Sequence, residues 1–168
     1  MLIRIQEMLS KGTRVPIHTT MNVDELLKNN KDVLKAGPLD IRLEASAEEK
    51  VVKVEGELAI DLELACSRCL EPTHEHVDIP FFERFQTLKA ADGEEEDEDI
   101  IKVKEDKVDL TPYVEESLLL HVPFIPLCQE NCQGLCPQCG TNLNEHQCGC
   151  AREGVDPRFA ALKDLFKP

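Results

Sequence analysis

The residues of this sequence best suited to chemistry are its eight cysteines, six of which fall between Cys128 and Cys150. The run Cys136-Pro137-Gln138-Cys139-Gly140 has the form of a zinc knuckle. Its tight turn lets two thiolates reach one metal ion while backbone N–H groups point at the sulfurs, and Gly140 supplies the positive φ that such a turn usually takes. Cys148 and Cys150 follow at a distance that can complete a Cys₄ tetrahedron. Upstream, Cys66 and Cys69 form a second Cys-x-x-Cys pair, for which Cys128 and Cys132 remain. The cysteines therefore divide into two metal-ligand sets: Cys136, Cys139, Cys148 and Cys150, and Cys66, Cys69, Cys128 and Cys132. Two zinc ions per chain are expected. The Cys-x-Cys spacing of Cys148 and Cys150 is less usual than Cys-x-x-Cys, so spacing alone leaves the partners of each site open.

Other uses of these residue types fare worse. A disulfide framework belongs to small secreted chains, and this one opens Met1-Leu2-Ile3-Arg4 with no apolar signal segment ahead of its polar residues. Thioredoxin-like redox chemistry needs a helix N-terminus to depress a thiolate pKa, whereas Cys139 runs into Gly140 and a polar loop. A zinc hydrolase needs an open coordination position beside a general base. His74-Glu75-His76 is the only candidate and is not His-Glu-x-x-His, so the pair is expected as exposed strand residues on one face. No Gly-rich phosphate loop and no serine nucleophile motif occurs, which points away from an enzyme.

Composition sets what must position these thiols. With 42% apolar residues, 4% aromatics and no Trp, the core must rest on Leu, Val and Ile, and no stretch is long and apolar enough to cross a bilayer. A structural zinc adds about 10–16 kcal/mol to folding in small peptides, which would offset a thin core. Nineteen basic against thirty-three acidic side chains give a formal charge of −14, and this excludes an overall basic, phosphate-gripping surface. Basic protein partners or a small local RNA contact fit better.

The elements follow from periodicity. Leu2 to Ile5 reads as an opening strand or a first helical turn, and Val15 to Met21, with Pro16 inside it, as an edge strand. Asp24 to Lys28 reads as a helical turn capped by Asn22 or Asp24. From Leu39 the alternation Leu39, Ile41, Leu43, Ala45 predicts a strand. After a polar turn at Ser46 to Lys50 a second alternation runs from Val52 to Leu64, with a bulge or bend expected at Gly56. A third strand from about Thr73 to Phe85, limited by Pro72 and Pro80, makes Cys66-Ser67-Arg68-Cys69 the tip of a long antiparallel hairpin. Residues 90–99 carry seven acids and no base, which predicts a solvated loop, and a sheet edge follows at Ile100 to Val103. A helix begins at Asp109 or Thr111, with Glu115 and Glu116 placed for its dipole and Leu110, Val114, Leu118, Tyr113, Leu119 and Leu120 on a wide apolar face. Pro123 ends it. Asp156-Pro157 can open a last, short amphipathic helix bearing Phe159, Leu162, Leu165 and Phe166.

The expected fold is α+β: an antiparallel sheet or partly open barrel with a long hairpin, one central helix, a cysteine-rich zinc-knuckle region and a short C-terminal helix. Residues 1–89 form a β-rich lobe with the first cysteine pair, 90–107 the acidic loop and edge segment, and 108–168 the helix, zinc region and last helix, packed with 1–89 as one unit.

Taken together, Cys66-Ser67-Arg68-Cys69-Leu70-Glu71-Pro72, Asp109-Leu110-Thr111, Pro126-Leu127-Cys128, Gly134-Leu135-Cys136-Pro137-Gln138-Cys139-Gly140, Asn142-Leu143-Asn144 and Asp156-Pro157-Arg158 resemble the YceD family, in its cysteine-rich form similar to that of Gram-positive bacteria. The likeness covers about Leu39 to Leu165. It implies a cytoplasmic, non-catalytic ribosome-biogenesis factor that promotes accumulation of large-subunit (23S) ribosomal RNA by binding an assembly intermediate, whether through rRNA or a basic ribosomal protein. No membrane or small-molecule substrate is involved on this account. The alternative is a zinc-stapled acidic adaptor that binds a basic protein without touching RNA. The basic residues near the cysteines, Arg68, Arg152, Arg158 and Lys163, are the candidates for an RNA or partner contact.

Overall fold

A computed structural model describes residues 1–88 and 99–150. Its elements run β1 (Leu2–Arg4), α1 (Ile5–Lys11), β2 (Arg14–Met21), α2 (Asp24–Leu27), β3 (Val33–Ala36), β4 (Leu39–Glu48), β5 (Val51–Ala65), β6 (Pro72–Thr87), β7 (Ile100–Val103), β8 (Lys107–Asp109) and α3 (Thr111–His121). The fold is mixed α+β and mostly strand. One open sheet has the order β2-β4-β5-β6-β7, with β3 also paired to β5, and a small two-stranded sheet joins β1 to β8.

Period-two patterning places one apolar set on the inner face. Leu39, Ile41, Leu43 and Ala45 of β4 and Val52, Val54, Leu58, Ile60, Leu62 and Leu64 of β5 are all buried. Ile5 and Met8 of α1 are buried with them, and so are Leu110, Val114 and Leu118 at and along α3. Those last three recur every four residues, the spacing of a single helical stripe. Phe85 ties the sheet to α3: its ring meets Tyr113 edge-on, 5.0 Å between centroids at 76°.

β5 and β6 pair antiparallel without a break from Val52↔Phe85 to Ala65↔Pro72, so the two longest strands carry the Cys66–Cys69 turn at their far end. Pro80 sits where β6 has no second neighbour, because β7 reaches only Arg84 to Thr87. β2 pairs only with β4, an edge position of the kind in which Pro16 is tolerated.

Several expectations need correction. The Leu2–Ile5 stretch is both alternatives in turn, a three-residue strand leading straight into α1. β7 runs parallel to β6, so the sheet is not wholly antiparallel. β3 and β8 were not expected. Gly56 is no bulge: the β4 and β5 ladders pass through it in register, Leu43↔Gly56↔Phe81. The turn after β4 is only Glu49 and Lys50, with Glu49 at φ 51°. Besides the central helix α3 and the expected helical turn α2, the described residues include α1 as a further helix. Leu119 and Leu120 are exposed, leaving a narrower apolar stripe on α3 than expected. Glu115 and Glu116 fall beyond the first turn of α3. Asp109 serves its start instead, accepting from the Thr111 N–H at 3.0 Å. The Met1 amine and Thr111 hold the Asp109 carboxyl down at about 2.

Of the acidic stretch, residues 89–98 lie outside the described residues, while Asp99 pairs with Arg84 at 3.5 Å. The expected C-terminal helix also lies outside them.

Candidate metal centres

The two Cys-x-x-Cys turns are built alike. At the β5–β6 tip the Cys66 N–H donates to the Glu71 carbonyl (2.9 Å) and the Leu70 N–H to the Cys66 carbonyl (2.9 Å). In the later turn the Cys136 N–H donates to the Thr141 carbonyl (2.9 Å) and the Gly140 N–H to the Cys136 carbonyl (2.8 Å). The residue after the second cysteine is left-handed in both, Gly140 at φ 74° and Leu70 at φ 63°. Glycine takes that conformation freely, while a leucine there carries about 1 kcal/mol of strain. Leu70 is 64% exposed and loses little packing on truncation. Leu70→Gly is therefore expected to leave stability unchanged or raise it by up to about 1 kcal/mol in chemical denaturation. A fall of that size would mean Leu70 packs more tightly than its exposure indicates.

The structure brings the cysteines into two groups of four, Cys66, Cys69, Cys128 and Cys132 (the inner site) and Cys136, Cys139, Cys148 and Cys150 (the outer site). Within each group all sulfurs lie within 4.8 Å of one another. Cys66 and Cys132 sulfurs are 3.8 Å apart, and those of Cys69 and Cys128 are 3.6 Å apart. A zinc ion at about 2.3 Å from four sulfurs sets tetrahedral edges of about 3.8 Å, far longer than the roughly 2.05 Å of a disulfide. All eight cysteines are free. The donor sets fit a tetrahedral metal ion, and the two tetracysteine clusters can each hold one.

The electrostatics of the thiols agree. Burial pushes the Cys66 thiol up, but the backbone amides of Cys128, Cys69 and Arg68 outweigh it and bring it to about 6. Burial and the neighbouring thiols Cys69, Cys132 and Cys66 drive Cys128 to about 12. In the outer site the Thr141 hydroxyl and amide lower Cys139 to about 6, whereas Cys139, burial and the other thiols raise Cys150 to about 12. Each cluster thus sets thiols that ionise readily, Cys66 and Cys132 or Cys136 and Cys139, beside others that resist, through burial and the crowding of neighbouring sulfurs. A dication removes that conflict and lets all four sulfurs bind as thiolates.

Burial separates the sites. Cys66, Cys69 and Cys132 are buried with Leu127 and Leu135 packed on them. In the outer site only Cys136 is buried.

The non-cysteine candidates land differently. Arg68 is exposed beside the inner site, but its guanidinium donates to the carbonyls of Cys132 (2.9 Å) and Glu130 (3.4 Å), bracing the ligand loop. Arg152, Arg158 and Lys163 lie outside the described residues. His76 stands on the outer face of the sheet between Asp61 (2.7 Å) and Asp78 (3.1 Å), with its pKa raised by both. Spacing gave no sign of Asn144 or Thr141, whose side chains touch the sulfurs of Cys132 (3.4 Å) and Cys139 (3.2 Å). Asn and Thr are ordinary turn residues, so their contacts with the sulfurs show only in three dimensions.

An open sheet whose longest hairpin ends in one tetracysteine cluster and abuts a second defines a protein with two clusters that could each hold a metal ion. Residues 54–166 match the family model described as "Large ribosomal RNA subunit accumulation protein YceD", and the chain belongs to that family. An uncharacterized protein of Mycobacterium tuberculosis (strain ATCC 25618 / H37Rv) is 35% identical over 131 residues, covering 77% of this chain and 62% of that protein. The uncharacterized protein YlbN of Bacillus subtilis (strain 168) is 31% identical over 153 residues, 88% of this chain and 86% of that protein. The chloroplastic "Large ribosomal RNA subunit accumulation protein YCED homolog 1" of Arabidopsis thaliana is 24% identical over 169 residues, 82% of this chain and 51% of that protein. The chain therefore spans less than two thirds of the length of the mycobacterial relatives. No solved structure matches it. No helix among the described residues is long and apolar enough to cross a membrane.

Proposed function

We propose that this protein is a non-catalytic, cytoplasmic ribosome-biogenesis factor that promotes accumulation of 23S ribosomal RNA by binding a large-subunit assembly intermediate. Membership of a family described as large ribosomal RNA subunit accumulation proteins is the observation that supports this reading. The geometry supports a binding rather than a catalytic role, since four cysteines close each tetrahedron and leave no coordination position for a water or substrate. Zinc is the ion that suits such all-thiolate sites in a protein without redox function. RNA is touched, on this account, through the small basic set Arg68, Arg152, Arg158 and Lys163.

A second reading is favoured by the outer face of the sheet, where register groups Glu44, Glu55, Glu57, Asp61, Glu63 and Asp78. Lys53 on that face is already paired with Glu55 at 2.8 Å. Such a surface suits a basic protein partner, and the factor would then be an adaptor without RNA contact.

Deletion in the native host is expected to lower large-subunit relative to small-subunit rRNA, and a Cys136→Ser/Cys139→Ser variant should fail to restore it. An unchanged ratio rejects the function. Capture of the partner that survives nuclease favours the adaptor, whereas binding that falls steeply with salt and is lost with nuclease favours direct RNA contact.

A further inference from the structure

The motif Asn142-Leu143-Asn144 has no ligand role, yet it joins the two clusters. The Asn144 amide nitrogen donates to the Cys132 sulfur at 3.4 Å. Its side-chain oxygen accepts from the Gln133 N–H (2.7 Å) and from Gln129 Nε2 (3.3 Å), both on the inner-site loop. Asn144 is itself held from within the outer loop: its amide and N–H donate to Asn142 Oδ1 at 2.9 and 3.1 Å, and the Leu143 N–H donates to the Gly134 carbonyl at 2.9 Å.

A second bridge runs beside it. The Leu135 N–H donates to the Arg68 carbonyl at 3.0 Å, and the Leu135 side chain packs on the buried inner cysteines. Gly134, at φ 72°, lets the two backbones approach, since a Cβ there would sit 3.0 Å from the Arg68 oxygen. Cys132 and Cys136, ligands of different sites, flank this contact.

Resting on the metal reading above, we propose that the two clusters are one coupled unit, in which Asn144 is a positioning residue that donates to an inner-site thiolate only while the outer site holds its loop in place. Filling the outer site thus raises the affinity of the inner one. Partners of this outer-sphere kind typically change metal affinity by roughly 10–100-fold, and Asn144 is expected to act within that range. By linkage the inner site must raise the outer site's affinity by the same factor.

The test is a Co(II) titration of the reduced full-length chain, read by thiolate-to-cobalt charge-transfer absorbance with chelator competition. The parent should fill both sites in one cooperative transition. Cys139→Ser should weaken the inner site about tenfold or more, and Cys66→Ser should weaken the outer site by an equal factor. Asn144→Ala should lower inner-site affinity in the parent but have little further effect in Cys139→Ser, where the loop no longer holds it. Circular dichroism of the sheet confirms that each variant is folded. If the remaining site in each cysteine variant keeps the parent's affinity, or Asn144→Ala has the same effect in both backgrounds, the coupling is overturned while metal binding stands. A parent that binds no cobalt overturns both.

Discussion

Cys66→Ser should lower the thermal midpoint of the metal-loaded protein further than Cys136→Ser, with a cost of about 4 kcal/mol or more against about half that for the outer ligand. Cys66 is fully buried, and its site ties the end of the β5–β6 hairpin to Cys128 and Cys132, which lie far along the chain. Losing that tie frees a long loop as well as a metal ion, and it leaves thiolates crowded in a buried pocket. The outer site closes a short local loop with three of its ligands at least partly accessible, so water takes over there at lower cost. Calorimetry under reducing conditions, with metal content measured on the same samples, decides the order. Midpoints of both variants equal to the parent's would show that neither site bears on the stability of the sheet.

What could be read in advance depended on how far each signal is local. The alternation from Leu39 through Leu64 is visible because each inward side chain is followed by an outward one for two whole strands. β3 escapes notice because it has four residues and its register slips between Val33 and Lys35, which breaks the alternation. The parallel pairing of β7 cannot be seen in Ile100 to Val103, since those residues look the same whichever way the strand runs. Leu119 and Leu120 look like core because they adjoin a real apolar stripe, yet each is rotated about 100° from its neighbour on the helix. At the candidate metal centres the residue type points to the ligands, because few other roles use eight thiols in such spacing. The partition into two sets follows from which cysteines pair in the chain and matches the clusters, whereas the resemblance of the two turns despite Leu70 standing where glycine is expected, and the reach of Asn144 to Cys132, depend on three-dimensional contacts.

Gly56→Ala is the other substitution expected to act strongly, and for a reason unlike that of the glycines in the knuckles. Gly140 has φ 74° with nothing within 4 Å of where a methyl would stand, so Gly140→Ala strains one turn and costs about 1 kcal/mol. At Gly56 the φ of 155° is joined to contact: a Cβ would fall 2.1 Å from the Arg42 carbonyl oxygen and 2.8 Å from the Leu43 Cα. Both are backbone atoms of the neighbouring strand, so no side chain can swing away. The methyl can enter only if β4 and β5 separate, which breaks ladder bonds at the centre of the sheet and loosens the packing of Leu43 and Leu58 on either side. The expected cost is about 4 kcal/mol or more, with amide exchange accelerated first along β4 and β5. Since β5 carries Cys66 at its end, inner-site metal affinity should fall in the same variant, while the outer site falls only as far as the two are coupled. A Gly56→Ala protein with the parent's midpoint would mean that the strands stand further apart at Leu43↔Gly56 than this close approach requires.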